Sequence, residues 1–327
     1  MTLMPFQHIR LIAAAALAAL GPQLVHAADA FPSRPIRIIS PYNAGSSTET
    51  FGRMLSMEMG ELLGQPLVIE SRPGAAGTTG AREVARSKPD GYTGLMNASI
   101  QVMYPGMFRS LPFDPLKDFA PVGVFGFAPM VVVVSSGSAI MSFKGMLEQA
   151  REKPGKLSFA SGGLGSLPHL VGELVNLRTS VNIEHVPYNG TGQAMTDVAG
   201  GHVDILYASV ASALPLIKAG KLRALAVTSK KRLELLPEAP TIAETAIPDF
   251  DVSSWYALWA PKGTPAAAVT RLNQAMREAS ALPAVQQRMQ AYGVVPSHLT
   301  AEEFARFSTA ESAKWLEVMK RARVEPN

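Results

Sequence analysis

The feature that most constrains this chain is a repeated unit: a short β-branched run, a loop of small polar residues, then a helix start. It appears first at residues 36–55, Ile-Arg-Ile-Ile-Ser-Pro-Tyr-Asn-Ala-Gly-Ser-Ser-Thr-Glu-Thr-Phe-Gly-Arg-Met-Leu. The run 36–39 suits a strand, and Pro41 ends it because proline cannot donate to a ladder. Asn43, Ala44 and Gly45 make a tight loop. Ser46, Ser47 and Thr48 are candidate helix N-caps, and Glu49 favours a first turn. Phe51, Met54, Leu55 and Met59 continue at helical spacing. The unpaired N–H groups of such a helix start, at the positive end of its dipole, attract an anion. The plainer alternative is an αβ connection that binds nothing.

The unit recurs. Residues 66–70 read as a strand, 71–80 as a Gly-rich loop and 81–87 as a helix stopped by Pro89-Asp90-Gly91. Residues 92–97 read as a third strand, with Asn97, Ala98 and Ser99 at its end. Such βα repeats predict a largely parallel sheet with covering helices. Ligands of open parallel sheets sit beyond the carboxyl ends of the strands, where all three loops lie. Residues 105–121 are turn-rich, and Pro-Met-Val-Val-Val-Val at 129–134 reads as a buried strand. Further strands are predicted at 157–160, 183–187, 203–207 and 222–227, with helices or helix starts between them. A second Gly/Ser loop spans 161–169, where Pro168 suits a first helical turn. Residues 129–228 thus read as a second βα-rich lobe. A strand at 253–260 returns the chain to the first. Helices at 266–282 and 301–323 are amphipathic, and Phe304, Phe307, Trp315 and Val318 read as core.

Composition narrows the function classes. In 327 residues, 47% hydrophobic content is ample for one large or two modest domains. With 17% charged residues, a mainly disordered chain is excluded. The net charge of +4 comes from scattered Lys and Arg, which suits mild attraction for anions and not nucleic-acid binding. The absence of cysteine excludes disulfides, thiolate metal sites and a thiol nucleophile. Residues 1–30 read as a signal peptide: Arg10, an apolar core at 11–20, and small residues for cleavage near Ala27 or Ala30. An exported protein is expected.

Common enzyme signatures are missing: no phosphate loop, dinucleotide fingerprint, nucleophile elbow or His-Glu-x-x-His occurs. His169 and Glu173 share a helix face, but two ligands are too few for catalytic zinc. His169 reads as a hydrogen-bonding or gating residue, or as a structural one. No catalytic residue, metal or cofactor is expected. The rival reading is a secreted serine hydrolase using Ser161 or Ser166 with His169 on a small ester.

The run Phe31-Pro32-Ser33-Arg34-Pro35-Ile36-Arg37-Ile38-Ile39 resembles the mature start of the Bug/TctC family, periplasmic receptors of tripartite tricarboxylate transporters. The resemblance continues through Ser71-Arg72-Pro73-Gly74-Ala75-Ala76-Gly77, Lys88-Pro89-Asp90-Gly91-Tyr92-Thr93, Leu111-Pro112-Phe113-Asp114-Pro115 and His185-Val186-Pro187-Tyr188. Gly220-Lys221-Leu222-Arg223-Ala224-Leu225-Ala226-Val227-Thr228 and Ala260-Pro261-Lys262-Gly263-Thr264-Pro265 extend it over nearly the whole mature chain. It implies a type II periplasmic-binding-protein fold: two α/β lobes, each with a mostly parallel sheet, and a ligand cleft between them. The lobes would be residues 31–128 plus 254–327, and residues 129–253. The implied ligand is a small carboxylate-bearing metabolite: a di- or tricarboxylate, an amino acid or an aromatic acid. A membrane permease or sensor kinase is the implied partner, and a monomer is expected.

Carried over, the family's two carboxylate-holding loops fall on 42–49 and 161–169. The expected contacts there are Tyr42, Ser46, Ser47, Thr48 and Glu49, then Ser161, Gly162, Gly165 and His169. Gly77, Thr78, Asn97, Ser99, Tyr188, Thr191, Asp204 and Ser209 are added because they end strands or open helices. Asp204 could instead cap a turn. The first loop departs from the family's Phe-Pro-Pro-Gly-Gly pattern, losing two prolines and one glycine and placing Glu49 where an Asp is usual. A less rigid, more polar loop and a larger or more hydroxylated acid are expected.

Overall fold

The repeated unit becomes β1 (Ile36–Ser40), α1 (Ser47–Leu63), β2 (Leu67–Ser71), α2 (Thr78–Ala85) and β3 (Thr93–Ala98). The computed structural model describes residues 31–326, and the predicted signal peptide lies outside the described residues. β1 pairs in parallel with β2 on one side and β3 on the other, as βα units require. α1 buries Phe51, Leu55, Met59 and Leu63 on one stripe and stops at Gly64, whose φ of 69° only glycine adopts freely. A short helix α3 (Tyr104–Met107) leads to the long strand β4 (Phe119–Ser135).

β4 is much longer than the predicted run at 129–134 and begins inside the stretch read as turn-rich. Pro121, Gly123 and Gly126 hid it, because they interrupt the β-branched pattern. The register with its neighbour slips between Pro121 and Gly123 and again between Val124 and Gly126. Such irregularities accommodate residues that a regular strand would not.

The chain then forms α4 (Phe143–Glu152), β5 (Ser158–Ser161), α5 (Leu167–Thr179), β6 (Glu184–Pro187), α6 (Thr191–Ala199), β7 (Ile205–Ser209), α7 (Val210–Lys218), β8 (Leu222–Val227) and α8 (Ile242–Thr245). β9 (Ser253–Pro261) is followed by α9 (Ala266–Ala281), α10 (Pro283–Ala291), β10 (Val295–Pro296) and α11 (Ala301–Arg321). The strand order is β2-β1-β3-β9-β4-β7-β5-β6, with β8 and β10 also paired to β4. The fold is α/β, with parallel βα units on both flanks of an antiparallel centre.

That centre decides where the strand ends point. β9 lies antiparallel to both β3 and β4, so β4 runs in the same sense as β1 and β3. β7 lies antiparallel to β4 and parallel to β5, so β5 and β7 run back the other way. The carboxyl ends of β1 and β3 therefore face the carboxyl ends of β5 and β7. β4 hands over between the two groups: residues 119–129 pair with β9, and residues 130–135 pair with β7 and β8.

The buried residues form four clusters, two of which centre on β1 and β5. Around β1, Ile36, Ile38, Phe51 and Leu55 pack with Leu272 and Met276 of α9. Around β5, Phe159, Val171 and Tyr207 pack with Val132 and Val134. α11 enters the β5 cluster and a further one around Trp255 and Trp259. Its Phe304 lies against Trp255 and Trp259, whereas Trp315, Val318 and Met319 enter the core around Phe159. The aromatic residues of this helix are core, as their spacing implied. No described helix is long and apolar enough to cross a membrane.

Candidate functional site

The first turn follows β1. Ser46 caps α1 through its side chain, which accepts the N–H of Glu49. The N–H groups of Ser47 and Thr48, the first two helical positions, have no partner among the described residues. Glu49 is 2% exposed. One carboxylate oxygen accepts the Gly45 N–H at 2.9 Å, and the other accepts the Arg53 Nε–H at 2.8 Å. Both oxygens are thus committed inside the loop. Glu49 shapes the turn and is not available to a ligand, which corrects the expectation that it makes contact.

Behind this turn sits a polar cluster. The Tyr42 hydroxyl donates to Asn97 Oδ1 at 2.7 Å. Asn97 is fully buried and donates to Gln101 Oε1 at 2.8 Å and to the Tyr104 hydroxyl at 3.3 Å. Its donors and acceptor are used, so Asn97 positions Tyr42 from below and does not line an open cleft. Tyr104 in turn donates to the Ala76 carbonyl at 3.0 Å. Ala76 belongs to a turn with four successive residues at positive φ, Gly74 to Gly77, two of them alanines at 45° and 53°. An L-residue there costs about 1–2 kcal/mol. A Cβ on Gly77 would lie 2.7 Å from the Tyr104 hydroxyl, so Gly77 is a spacer. The Thr78 hydroxyl donates back to the Ala75 carbonyl and stiffens the same turn. Burial pushes the Tyr42 phenol well above its usual value and the Tyr104 phenol up to about 12.

The facing turn follows β5. The Ser161 hydroxyl accepts the Gly163 N–H at 3.1 Å and lies 2.6 Å from His185 Nε2. His169 Nδ1 accepts the Gly165 N–H at 3.0 Å. The two imidazoles stack at 3.9 Å. Burial lowers His169 to about 4, and burial together with the neighbouring His169 lowers His185 to about 4, so both are neutral near pH 7. His169 Nδ1 is then an acceptor, with its proton on Nε2, which is 3.9 Å from Glu173. Burial raises the Glu173 carboxyl. Gly163 and Gly165, at φ of 131° and 73°, let the backbone turn so tightly. α5 has no side-chain cap. The N–H groups of Leu164, Leu167 and His169 have no partner among the described residues.

The loop 188–191 packs beside this turn: a Cβ on Gly162 would lie 3.0 Å from Thr191. Thr191 opens α6 and is exposed. Tyr188 hydrogen-bonds Asp197 at 2.8 Å and so ties its loop to α6, leaving its hydroxyl engaged. Ser209 caps α7 at the carboxyl end of β7 and is exposed. Asp204 is misplaced by the sequence reading. It accepts the Ser158 N–H and hydroxyl at 2.8 and 2.9 Å, at the amino end of β5, the end opposite the turns. It fastens β5 to β7 and cannot reach a ligand held by Ser161.

The serine–histidine pairing also differs from expectation. Ser161 meets His185, which carried no assignment, while His169 is taken by Gly165. Ser166 donates to the Gly163 carbonyl at 2.7 Å. Among the described residues no cluster of three or more His, Cys, Asp or Glu could hold a metal.

Tyr256 and Ser254 of β9 were missed. Tyr256 lies opposite Ala98 and Gly126 and packs on Phe51 at 4.8 Å between ring centroids. Ser99 Oγ is 3.4 Å from Ser254 Oγ. A signal was present: Ser254 and Tyr256 alternate with Trp255 and Ala257, and period two puts both polar residues on one face.

The separation of the facing strand ends can be read from register. Ala98 is level with Gly126 through Tyr256, and Ser209 is opposite Met130. The facing strand ends are four β4 residues apart, about 13 Å at the usual strand rise. Met107 of α3 bridges the sides, since a Cβ on Gly165 would lie 3.8 Å from its side chain.

Parallel βα units on both flanks of β4 and β9, with the carboxyl ends of their strands facing each other, are the architecture of a solute-binding receptor. A family model described as "Tripartite tricarboxylate transporter family receptor" (TctC) matches residues 51–324, and the chain belongs to this family of periplasmic solute-binding proteins, which are not enzymes. Protein BugT of Bordetella pertussis is 36% identical over 295 residues, 90% of each chain. The solved periplasmic binding protein BugD is 32% identical, with a TM-score of 0.72, over 91% of this chain and 100% of that one. An R. palustris protein solved with adipate is 32% identical, with a TM-score of 0.76, over 91% and 100% of the two chains. The hydrolase reading is set aside by this membership.

Proposed function

We propose that this receptor captures a small carboxylate-bearing metabolite in the gap between its two turns and delivers it for uptake or sensing. The observation that carries the reading is the opposed strand ends, beside which the N–H groups of Ser47 and Thr48 and those of Leu164, Leu167 and His169 have no partner among the described residues. Helix-start N–H groups are matched to carboxylate oxygens. Two lobes, residues 31–128 with 254–327 and residues 129–253, close on the acid, and preference for the closed state drives closure. Micromolar binding requires about 8 kcal/mol. A few charged hydrogen bonds at ~1.5–3 kcal/mol each, with modest apolar contact, supply it. The adipate held by a relative of the same fold supports an acid of this size.

Native mass spectrometry of the purified protein, followed by calorimetry with a panel of mono-, di- and tricarboxylates, tests the reading. A co-purified acid or micromolar binding of one panel member is expected. Binding only of uncharged solutes would overturn it.

A further inference from the structure

Glu311 of α11 is a buried carboxylate that belongs to neither turn. It is 8% exposed. Its Oε2 accepts the Trp315 Nε1–H at 3.0 Å and, more weakly, the Trp255 Nε1–H at 3.4 Å. Its Oε1 pairs with Lys314, whose ammonium also lies 4.7 Å from the centre of the Trp315 ring. The two indoles sit in different packing clusters. Trp255, on β9, packs edge-on against Phe304 and Phe307, with ring centroids 5.7 and 5.6 Å away. Trp315 is buried in the cluster of Phe159 and Tyr207, with Leu170 and Val171 of α5, the helix that the second turn opens. One carboxylate oxygen thus joins β9 to the side chain that α11 places in the cluster around β5.

The contact lies where the sheet changes hands. Trp255 is opposite Phe127, two residues from Pro129–Ser253, the last pair before β4 passes from β9 to β7 and β8. Apolar contacts are non-directional and let packed surfaces slide, whereas hydrogen bonds fix an angle. A buried carboxylate is costly unless paired and hydrogen-bonded, and leucine would fill this position without that cost. What the carboxylate adds is direction. Resting on the two-lobe reading, we propose that Glu311 is a positioning residue: it fixes Trp315 relative to β9 and so holds the two lobes at one angle before a ligand arrives. With the acceptor lost, α11 keeps its apolar contacts, but the lobes sample a range of separations and only part of the population is ready to bind.

Spin labels at Ala44→Cys and Leu164→Cys, exposed positions on the two turns of a chain without cysteine, report the lobe separation with no ligand present. Pulsed distance measurements are run on this labelled protein and on the same protein carrying Glu311→Leu, Glu311→Gln or Trp255→Phe. Leucine keeps the bulk and removes the acceptor. Glutamine keeps an acceptor oxygen for the indoles. Phenylalanine keeps the aromatic packing on Phe304 and removes one donor. Thermal melts check that each variant is folded at the temperature of labelling, and if Glu311→Leu is not, Trp255→Phe decides. The wild-type distribution is expected to be narrow, with that of Glu311→Leu at least about twice as wide. Trp255→Phe should fall between them, and Glu311→Gln should stay close to the wild type. An unchanged width in Glu311→Leu or Trp255→Phe, with only a lowered melting temperature, is what a merely structural role gives, and it overturns the proposal. So does a Glu311→Gln distribution as wide as that of Glu311→Leu. A wild-type distance too long for turns that share a space overturns the two-lobe reading, and the proposal with it.

Discussion

The turn after β1 and the turn after β5 do the same job with opposite chemistry. Both present uncapped N–H groups at a helix start. The first is shaped by an ion: the buried Glu49 carboxylate holds the Gly45 N–H and is balanced by Arg53. The second is shaped by neutral groups: Ser161 and His169 hold the Gly163 and Gly165 N–H groups, and His185 supports Ser161. A charge beneath a turn gives strong, short-range anchoring but places an anion near the point where another anion is to bind. Neutral imidazoles avoid that repulsion, but they hold the turn only while unprotonated. The comparison teaches that one turn should be sensitive to acid and the other to loss of a single side chain.

Acid is the strongest lever and acts on the second turn. The folded-state values of His169 and His185 lie near 4, below the ordinary 6.5. The unfolded chain therefore binds more protons between these values. Stability is fully present above pH 6.5 and falls as pH drops toward 4. The slope is up to about 1.4 kcal/mol per pH unit for the buried His169 and less for the partly exposed His185. Denaturant titrations from pH 7.5 to 4.5 should show it, and His169→Gln should shrink it to the part that His185 contributes. A flat profile in the wild type would remove the distinction between the turns.

Ser161→Ala should cost about 2 kcal/mol by leaving His185 Nε2 and the Gly163 N–H unpaired. Glu49→Ala is expected to cost about 1–2 kcal/mol, because it removes the Gly45 N–H and Arg53 hydrogen bonds, whose exposed donors water then takes up. It should weaken acid binding as well. Denaturant midpoints and calorimetry measure both. Asp204→Ala should cost only about 1 kcal/mol and leave affinity unchanged, since Asp204 sits at the far end of β5. A drop in affinity there would mean that the strand ends are assigned to the wrong side.

Much of this was legible because β-branched runs, small-residue turns and helix starts are local signals. The turns at 42–49 and 161–169 were found in that way. What the sequence hid was long-range. β4 was truncated because Pro121, Gly123 and Gly126 disguise its first half, and only pairing with β9 makes it a strand. Asp204 was put on the cleft side because one residue before a strand looks like one after it until strand direction is known. Glu49 looked like a ligand because a carboxylate's partners, here Gly45 and Arg53, cannot be read from its position alone. Ser161 and His185 are 24 residues apart, on adjacent strands, and no spacing rule joins them.

The central claim is that the two turns share one gap and close on an acid. The chain has no cysteine, so Ala44→Cys with Leu164→Cys gives a doubly labelled protein free of background sites; both positions are exposed. Pulsed electron–electron distance measurement between these labels, with and without the acid that calorimetry finds tightest, is the most direct test. A single short distance that shortens further on saturation is predicted. A distance that stays the same when the acid is bound would contradict the account.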